Sequence, residues 1–345
     1  MDYRPLGRTG VKVSQLCLGA MMLGAVGNPD HDDATRIIHR ALDAGINFLD
    51  TADAYSRGES ELIVGKALAG GRRENVVLAT KVGLPFDDDP NHRGASRRWI
   101  TEAVEGSLRR LQTDWIDVYQ THTFDPNTDV EETLGVLSDL VHAGKIRSFG
   151  ASKVPASGIV EAQCAAERRG HERFRTEQPP YSILTRAIEF DVLPTCQRHG
   201  IGVMSYSPLA GGWLSGKYRQ GQVVSGPGSA TRGQLFPGVY DSTNPANAAK
   251  LEAADALAVL AEEAGITLIQ MAIAFATHHP AVTSAIIGPR TTEHLDSYLA
   301  ADGIDLSSDL LDQIDQIVPP AVTINVADNM WNHSTAALHP AARRR

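Results

Sequence analysis

Short runs of β-branched and apolar residues alternate with longer amphipathic runs along nearly the whole chain. QLCLGA (15–20), INFLDTA (46–52), NVVLATKVG (75–83), WIDVYQTH (115–122), KIRSFGAS (145–152), RFRTEQ (173–178), GIGVMSYSP (200–208) and TSAIIG (283–288) read as strands. Helical runs lie between them. DDATRIIHRALDAG (32–45) turns Ile37, Ile38, Ala41 and Leu42 inward, and ESELIVGKALAG (59–70) ends on glycine. RRWITEAVEGSLRRL (97–111) and NAAKLEAADALAVLAEEAG (247–265) continue the series, and a further helix is expected over about 307–317. Such alternation means parallel strands joined by crossover helices, in an open doubly wound sheet or a closed barrel. Eight units in roughly 300 residues, without a break in composition, favour a single-domain α/β fold, the (β/α)8 TIM barrel, over about residues 15–301. YRPLGRTGVKVS (3–14) predicts a β-hairpin around Arg8-Thr9-Gly10, added as a cap. The Gly/Ser/Pro-rich stretch 221–238 reads as a long loop in the seventh unit, and 319–345 as an irregular tail.

Composition narrows the partners. Of 345 residues, 42% are hydrophobic and 21% charged, which is globular composition. The net charge of −9 speaks against nucleic acid or an anionic membrane as partner. Three scattered cysteines lack CxxC spacing, and the twelve histidines form no HxH or HExxH pattern, so neither a disulfide framework nor a metal site is expected. The start, MDYRPLGRTG, carries charges where a signal peptide needs an apolar run, and no stretch approaches the ~20 apolar residues of a membrane span. The expectation is a soluble, cytoplasmic protein.

In barrels of this kind chemistry is built at the C-terminal ends of the strands. Those ends carry Asp50 and, five residues on, Tyr55; then Lys81, His122, Ser152, Gln178, Tyr206-Ser207-Pro208, and Gly288 with Arg290. Taken singly each has an ordinary reading: a helix cap for Asp50, a solvated lysine, a structural histidine, a loop tyrosine. Together, Asp50, Tyr55, Lys81 and His122 fall on the second, third and fourth strand ends and converge on one side of the mouth. A phenol of pKa about 10 is a weak acid at neutral pH unless its anion is stabilised. An ammonium about 4 Å away offers roughly 4 kcal/mol at an effective dielectric of 20, about three pKa units. On this reading Lys81 supports Tyr55, Asp50 keeps Lys81 charged, and a neutral His122 holds a substrate oxygen. The set protonates an oxyanion but has no carbon nucleophile, which points to a cofactor that brings hydride.

The chain resembles the aldo-keto reductases over about residues 3–318. GINFLDTADAYSRGESELIVGKAL (45–68) is similar to the family's first signature, with Asp50, Tyr55, Gly58, Glu59 and Gly65 in register; ATKVG (79–83) matches its lysine segment and DVYQTHTFDP (117–126) its histidine segment. The resemblance implies reduction of aldehydes and ketones with NADPH bound across the barrel mouth, Asp50, Tyr55, Lys81 and His122 being the catalytic tetrad. It implies that Gly19, Ala20 and Met21 line the cofactor cleft beside Asp50. Ser152 and Gln178 would hold the nicotinamide carboxamide, and Tyr206 would stack on the ring. Ser207, Pro208, Leu209 and Lys217 would lie along the pyrophosphate. IIGPRTTEHLDSYLAA (286–301) is similar to the adenosine-phosphate segment, in which Gly288 opens a helix N-terminus that receives an anion and Arg290 pairs with the 2′-phosphate.

Three positions depart from the family pattern: Lys153 replaces a usual Asn, His294 a usual Gln, and Tyr298 an adenine-binding Asn. A lysine cannot replace the paired donor and acceptor of an amide, so the carboxamide is left to Ser152 and Gln178. Lys153 itself either lies in solvent or points its ammonium towards cofactor phosphates or the substrate entrance. In this family specificity comes from long loops, here 84–96, 209–246 and 319–345, and Trp99, Trp213, Phe236 and Trp331 are aromatic candidates for a pocket wall.

Rival readings are weaker. Gly211–Tyr218 (GGWLSGKY) nearly forms a Walker A loop, but Tyr218 stands where Ser or Thr would bind Mg²⁺. A Schiff-base aldolase using Lys81 needs neither Tyr55 nor His122. A redox-silent, nicotinamide-binding regulatory subunit, as in the channel-associated branch of the family, is the non-enzyme alternative. That branch shares a basic residue after the nicotinamide serine but tends to lose the histidine that this chain keeps as His122.

Overall fold

A computed structural model describes residues 1–219, 240 and 244–329. The expected 221–238 loop, Phe236 and Trp331 lie outside the described residues. Two short strands, β1 (Tyr3–Pro5) and β2 (Lys12–Ser14), pair antiparallel as the opening hairpin. Eight parallel strands then close a barrel: β3 (Leu16–Gly19), β4 (Phe48–Asp50), β5 (Val77–Val82), β6 (Ile116–Thr121), β7 (Ile146–Ser152), β8 (Thr176–Gln178), β9 (Gly202–Tyr206) and β10 (Val282–Ile287). β10 pairs with both β9 and β3, so the sheet has no free edge.

Helices surround it: α1 (His31–Asp43), α2 (Glu59–Leu68), α3 (Arg97–Leu111), α4 (Val130–His142), α5 (Ala156–Arg169) and α6 (Val192–His199). Among the described residues the seventh unit carries α7 (Pro245–Glu263) and α8 (Leu268–His278), and α9 (Thr292–Leu299) and α10 (Ser308–Ile317) follow β10. Their starts are set by side chains that accept the free first-turn amides: Asp30 for α1, Ser96 for α3, and Thr267 with Gln270 in a capping box for α8.

Strand alternation sorts the side chains into two layers. Phe48, Ala79, Val118, Cys17, Met204 and Ile286 form an inner cluster with Leu6 and Val13 of the hairpin. Leu49, Leu78, Tyr119 and Phe149 face outwards into the larger core under the helices. The hairpin seals the N-terminal end of the barrel, where Gly7 (φ 55) lies so close to β9 that a Cβ would sit 2.6 Å from the Gly200 carbonyl and 2.6 Å from the Gly202 amide. The described part of the tail returns to the segment after β8 and to α7: Thr323 bridges Thr185, Arg186 donates to the Val318 carbonyl (2.6 Å), and Lys250 of α7 pairs with Asp328 (2.9 Å). Among the described residues no single helix is long and apolar enough to cross a membrane.

Candidate active site

Asp50, Lys81 and Gln120 stand two residues beyond Phe48, Ala79 and Val118, so the same alternation that fills the floor of the barrel points these three polar chains inward above it. Lys81 is fully buried. Its ammonium donates to Asp50 Oδ2 (2.6 Å), to the Thr51 carbonyl (2.8 Å) and to the Tyr55 hydroxyl (3.2 Å), using all three of its protons. The other oxygen of Asp50 accepts from Gln178 Nε2 (2.9 Å) and, at longer range, from Gln120 Nε2 (3.4 Å). A buried charge pair is tolerated only when hydrogen bonds satisfy its remaining lone pairs, and here they do.

Tyr55 reaches this pair from a tight turn between β4 and α2. Ser56 (φ 48), Arg57 (φ 55) and Gly58 (φ 89) take left-handed backbone in succession. Each of the two non-glycine residues stores about 1–2 kcal/mol in doing so. A Cβ at Gly58 would also meet Arg110 Cδ at 2.6 Å and push that side chain aside. The turn sets the Tyr55 ring 4.9 Å from Lys81 Nζ and edge-on to the His122 ring, with 5.5 Å between centroids. His122 has a buried Nδ1 without a hydrogen-bond partner, and its backbone amide is tied to the Val82 carbonyl at 2.8 Å.

The electrostatics refine the expectation for Tyr55. Burial raises the phenol; Lys81 pulls it down and Asp50 pushes it further up, so the net shift is upwards. The ammonium works in the expected sense but loses to burial. For Lys81 burial favours the neutral amine, but Asp50 and Tyr55 more than offset it and the group stays charged. Burial, with Lys81 and Lys153 adding to it, holds His122 well below the ordinary imidazole value, so the ring is neutral.

The β7–β10 side of the mouth is arranged differently. Ser152 and Gln178 face each other across the β7–β8 pair, where the Ser152 hydroxyl donates to the Gln178 carbonyl (2.8 Å). Gly19 and Ala20 are buried at the end of β3, and the Ala20 amide donates to the Asp50 carbonyl (2.8 Å); Met21 is half-buried beside them. Tyr206 and Ser207 (φ 58) are half-buried at the end of β9, with Pro208 and Leu209 buried behind them and Lys217 exposed further on. Gly288 follows β10 but does not open the following helix: α9 starts at Thr292, with the Thr291 side chain as N-cap, and Asn28 Nδ2 donates to the Arg290 carbonyl (3.0 Å) in the connecting turn. Arg290 and Lys217 both lower the neighbouring His294, whose main depressing influence is burial, and this draws the three into one basic group. Tyr298 stacks on His294, with 6.3 Å between ring centroids.

Lys153 is not in solvent. It adopts left-handed backbone (φ 59) and is half-buried; burial, reinforced by Lys81 and opposed by Glu177, lowers its ammonium to about 8. Trp99 stacks on His92 (4.7 Å) and Trp213 on Tyr218 (4.4 Å), and both indoles are buried in packing.

Sequence reasoning missed several polar groups of this region. Gln120 could have been found by counting two residues on from an inward valine. Of the two glutamates at the start of α2, Glu59 lies at the rim against His31 (2.8 Å), while Glu61 is buried, accepting from Thr80 (2.6 Å) and Arg110 (2.7 Å). Asp53 and Glu177 are also fully buried, each with carboxyl oxygen lacking a hydrogen-bond partner. Nothing local distinguishes Asp53, Glu61 and Glu177 from surface residues.

A closed parallel barrel whose C-terminal mouth holds a phenol against a buried lysine–carboxylate pair defines an oxidoreductase of the barrel class. The chain belongs to the aldo/keto reductase family, whose model matches residues 15–319. It is 40% identical over 329 residues to an uncharacterized oxidoreductase, YrpG, of Bacillus subtilis (strain 168), covering 92% of this chain and 96% of that one. It is 36% identical to a probable voltage-gated potassium channel subunit beta of Arabidopsis thaliana (92% and 97% covered) and 33% identical to the aldo-keto reductase YhdN of Bacillus subtilis (94% and 95%).

Proposed function

We propose that the protein reduces the carbonyl group of small aldehydes or ketones to alcohols with NADPH, in the cytoplasm and without a nucleic-acid or membrane partner. The observation that carries this reading is the fully buried Lys81 ammonium, shared between the Asp50 carboxylate and the Tyr55 hydroxyl. Two features suit the cofactor. His122 Nδ1 is enclosed without a partner, and neither Lys217 nor Arg290 makes an ion pair among the described residues, which leaves their charge for an anion. Ser152 and Gln178 would hold the carboxamide, Tyr206 would flank the ring beside Gly19, Ala20 and Met21, Ser207, Pro208, Leu209 and Lys217 would follow the pyrophosphate, and Gly288, Arg290 and His294 would receive the 2′-phosphate. The nicotinamide, when bound, supplies hydride.

The chain's own residues then handle the proton. Neutral His122 donates a hydrogen bond to the carbonyl oxygen and orients it. Tyr55, kept protonated by burial, gives its proton to that oxygen as negative charge develops, and Lys81 stabilises the phenolate left behind. Asp50, fixed by Gln178, keeps Lys81 charged throughout. Tyr55→Phe removes the acid without disturbing the cleft. Turnover of an aldehyde should fall by about 10²–10⁴-fold, with NADPH still quenching the intrinsic fluorescence at unchanged concentration. Near-normal turnover by this variant would overturn the assignment. The likeness to channel β subunits raises a binding-only role, which predicts NADPH binding with no turnover of any aldehyde, ketone or quinone by the parent protein.

A further inference from the structure

β8 sends Thr176 and Gln178 into the barrel, where Thr176 Oγ1 donates to Gln120 Oε1 (3.3 Å) and Gln178 Nε2 to Asp50 Oδ1 (2.9 Å). Strand alternation therefore turns Glu177, between them, to the outer face under the helices, and there it is 1% exposed. A carboxyl group is costly on a face where an apolar chain would pack. What it holds there is backbone. Its Oε1 accepts from the Val154 amide (3.1 Å), while Oε2 has no hydrogen-bond partner.

That amide lies two residues past Ser152, the last residue of β7. Between them Lys153 takes left-handed backbone (φ 59), which is unfavourable for a lysine, and the buried Val154 then leads through Pro155 into α5. The Val154 amide comes after the last strand residue and before the first helical one, so regular structure gives it no acceptor. Glu177 supplies one. On the inner face Ser152 stands opposite Gln178 and gives its hydroxyl proton to the Gln178 carbonyl (2.8 Å). The ends of β7 and β8 are thus tied twice, by Ser152 inside the barrel and by Glu177 outside it. The Lys153 ammonium, the Cys196 thiol of α6 and the Tyr206 phenol at the end of β9 all lie near enough to feel the Glu177 charge. Glu177 therefore backs the three residues that would meet the nicotinamide, namely Ser152, Gln178 and Tyr206.

We propose that Glu177 is a positioning residue for the nicotinamide end of the cofactor: by accepting the Val154 amide it holds the left-handed turn at Lys153, and so fixes the Ser152 hydroxyl at the barrel mouth. The inference rests on the reading of the mouth as an NADPH site. It needs an acceptor oxygen at this place and not a negative charge, so a carboxamide of the same length serves as well.

Three variants separate the acceptor from the bulk. Glu177→Gln keeps a carbonyl oxygen at the same reach, Glu177→Leu keeps the volume without an acceptor, and Glu177→Asp is one methylene too short to meet the amide. In a fluorescence titration the Leu and Asp variants should bind NADPH about 2- to 10-fold more weakly, the worth of one ordinary hydrogen bond. Adenosine 2′,5′-bisphosphate, which has the phosphate end of the cofactor and no nicotinamide, should bind all three as it binds the parent. Turnover in the Leu and Asp variants should fall by about 10- to 100-fold, the cost of a small misplacement of a reacting group. The Gln variant should match the parent in both. If the Leu variant does not fold, the Asp variant decides the same comparison. Equal losses for the two ligands, unchanged NADPH affinity in the Leu and Asp variants, or a Gln variant as impaired as these two would each overturn the proposal. Hydrogen exchange needs no cofactor: the Val154 amide should be protected in the parent and the Gln variant and exposed in the Asp variant. A parent protein that binds no NADPH would sink the reductase reading and the nicotinamide role with it, and exchange at Val154 would still decide whether Glu177 holds the turn.

Discussion

The two sides of the barrel mouth handle charge in opposite ways. On the β4–β6 side the ammonium of Lys81 is buried and compensated within the protein, with three acceptors inside 3.2 Å. On the β9–β10 side Lys217 and Arg290 bring two positive charges towards a His294 that they and burial hold neutral, and neither Lys217 nor Arg290 has an acidic partner among the described residues. A group that must carry a proton at a fixed point gains from being held before any ligand arrives, since reorganisation would cost rate. A group that must bind an anion gains from leaving its charge unspent. If Arg290 holds the cofactor phosphate as proposed, pairing it internally would cost it that ligand, whereas leaving Lys81 unpaired would cost the fold.

The contrast is broken most severely at Lys81. Lys81→Met leaves Asp50 as a lone buried charge, which should destabilise the protein by about 3–5 kcal/mol in thermal unfolding and lower turnover by about 10²–10⁴-fold. Replacing Asp50 by Leu in the same chain should recover the stability but not the rate. A single variant that melts with the parent protein would mean the pair is not a buried ion pair. At the other side, Arg290→Ala should weaken NADPH by about 10- to 150-fold, the worth of a charge-assisted hydrogen bond of roughly 1.5–3 kcal/mol, and leave NADH nearly untouched. Equal losses for both cofactors in a fluorescence titration would remove the 2′-phosphate role.

Two smaller effects sharpen the comparison. His122 is held neutral, its folded value lying below the ordinary 6.5 because of burial first and Lys81 and Lys153 second. Below that pH the unfolded chain takes up a proton that the folded chain refuses, so stability is full above about 6.5 and falls as the pH drops. His122→Gln should flatten this acid-side loss of melting temperature; an unchanged slope would assign it to other groups. The smallest effect is expected at Lys153, which lies between the two sides. Lys153→Asn should weaken NADPH by a few-fold at low salt, with the difference shrinking as ionic strength rises past about 0.1 M. Affinity independent of this substitution at every salt concentration would separate Lys153 from the cofactor altogether.

Much of this was legible in the chain. Alternating strand and helix runs gave eight parallel strands because each run is long enough to show its own period. Asp50, Tyr55, Lys81 and His122 stood out because they follow apolar strand runs, where a barrel collects its chemistry. The helix expected to open at Gly288 begins instead at Thr292, where the Thr291 hydroxyl accepts from the His294 amide, in a turn that also takes a hydrogen bond from Asn28, far away in sequence. Asp53, Glu61 and Glu177 were invisible as buried acids, because an acidic residue at a strand end or in the first turn of a helix has the same local pattern whether solvent or a second layer covers it.

The sequence by itself determined the period of the elements and the types of residue at their ends, because these depend on neighbours a few positions apart; closure, in which β10 at the end of the chain meets β3 at its start, is tertiary. Only the tertiary structure decided how each acid and base is charged. Burial outweighs Lys81 at the Tyr55 phenol, Glu61 finds the Arg110 side chain while Asp53 finds no side-chain donor, and the half-buried Lys153 has its ammonium lowered to about 8. Protonation depends on solvent exclusion and on charges brought from distant strands, and no stretch of chain contains that information until the barrel has closed.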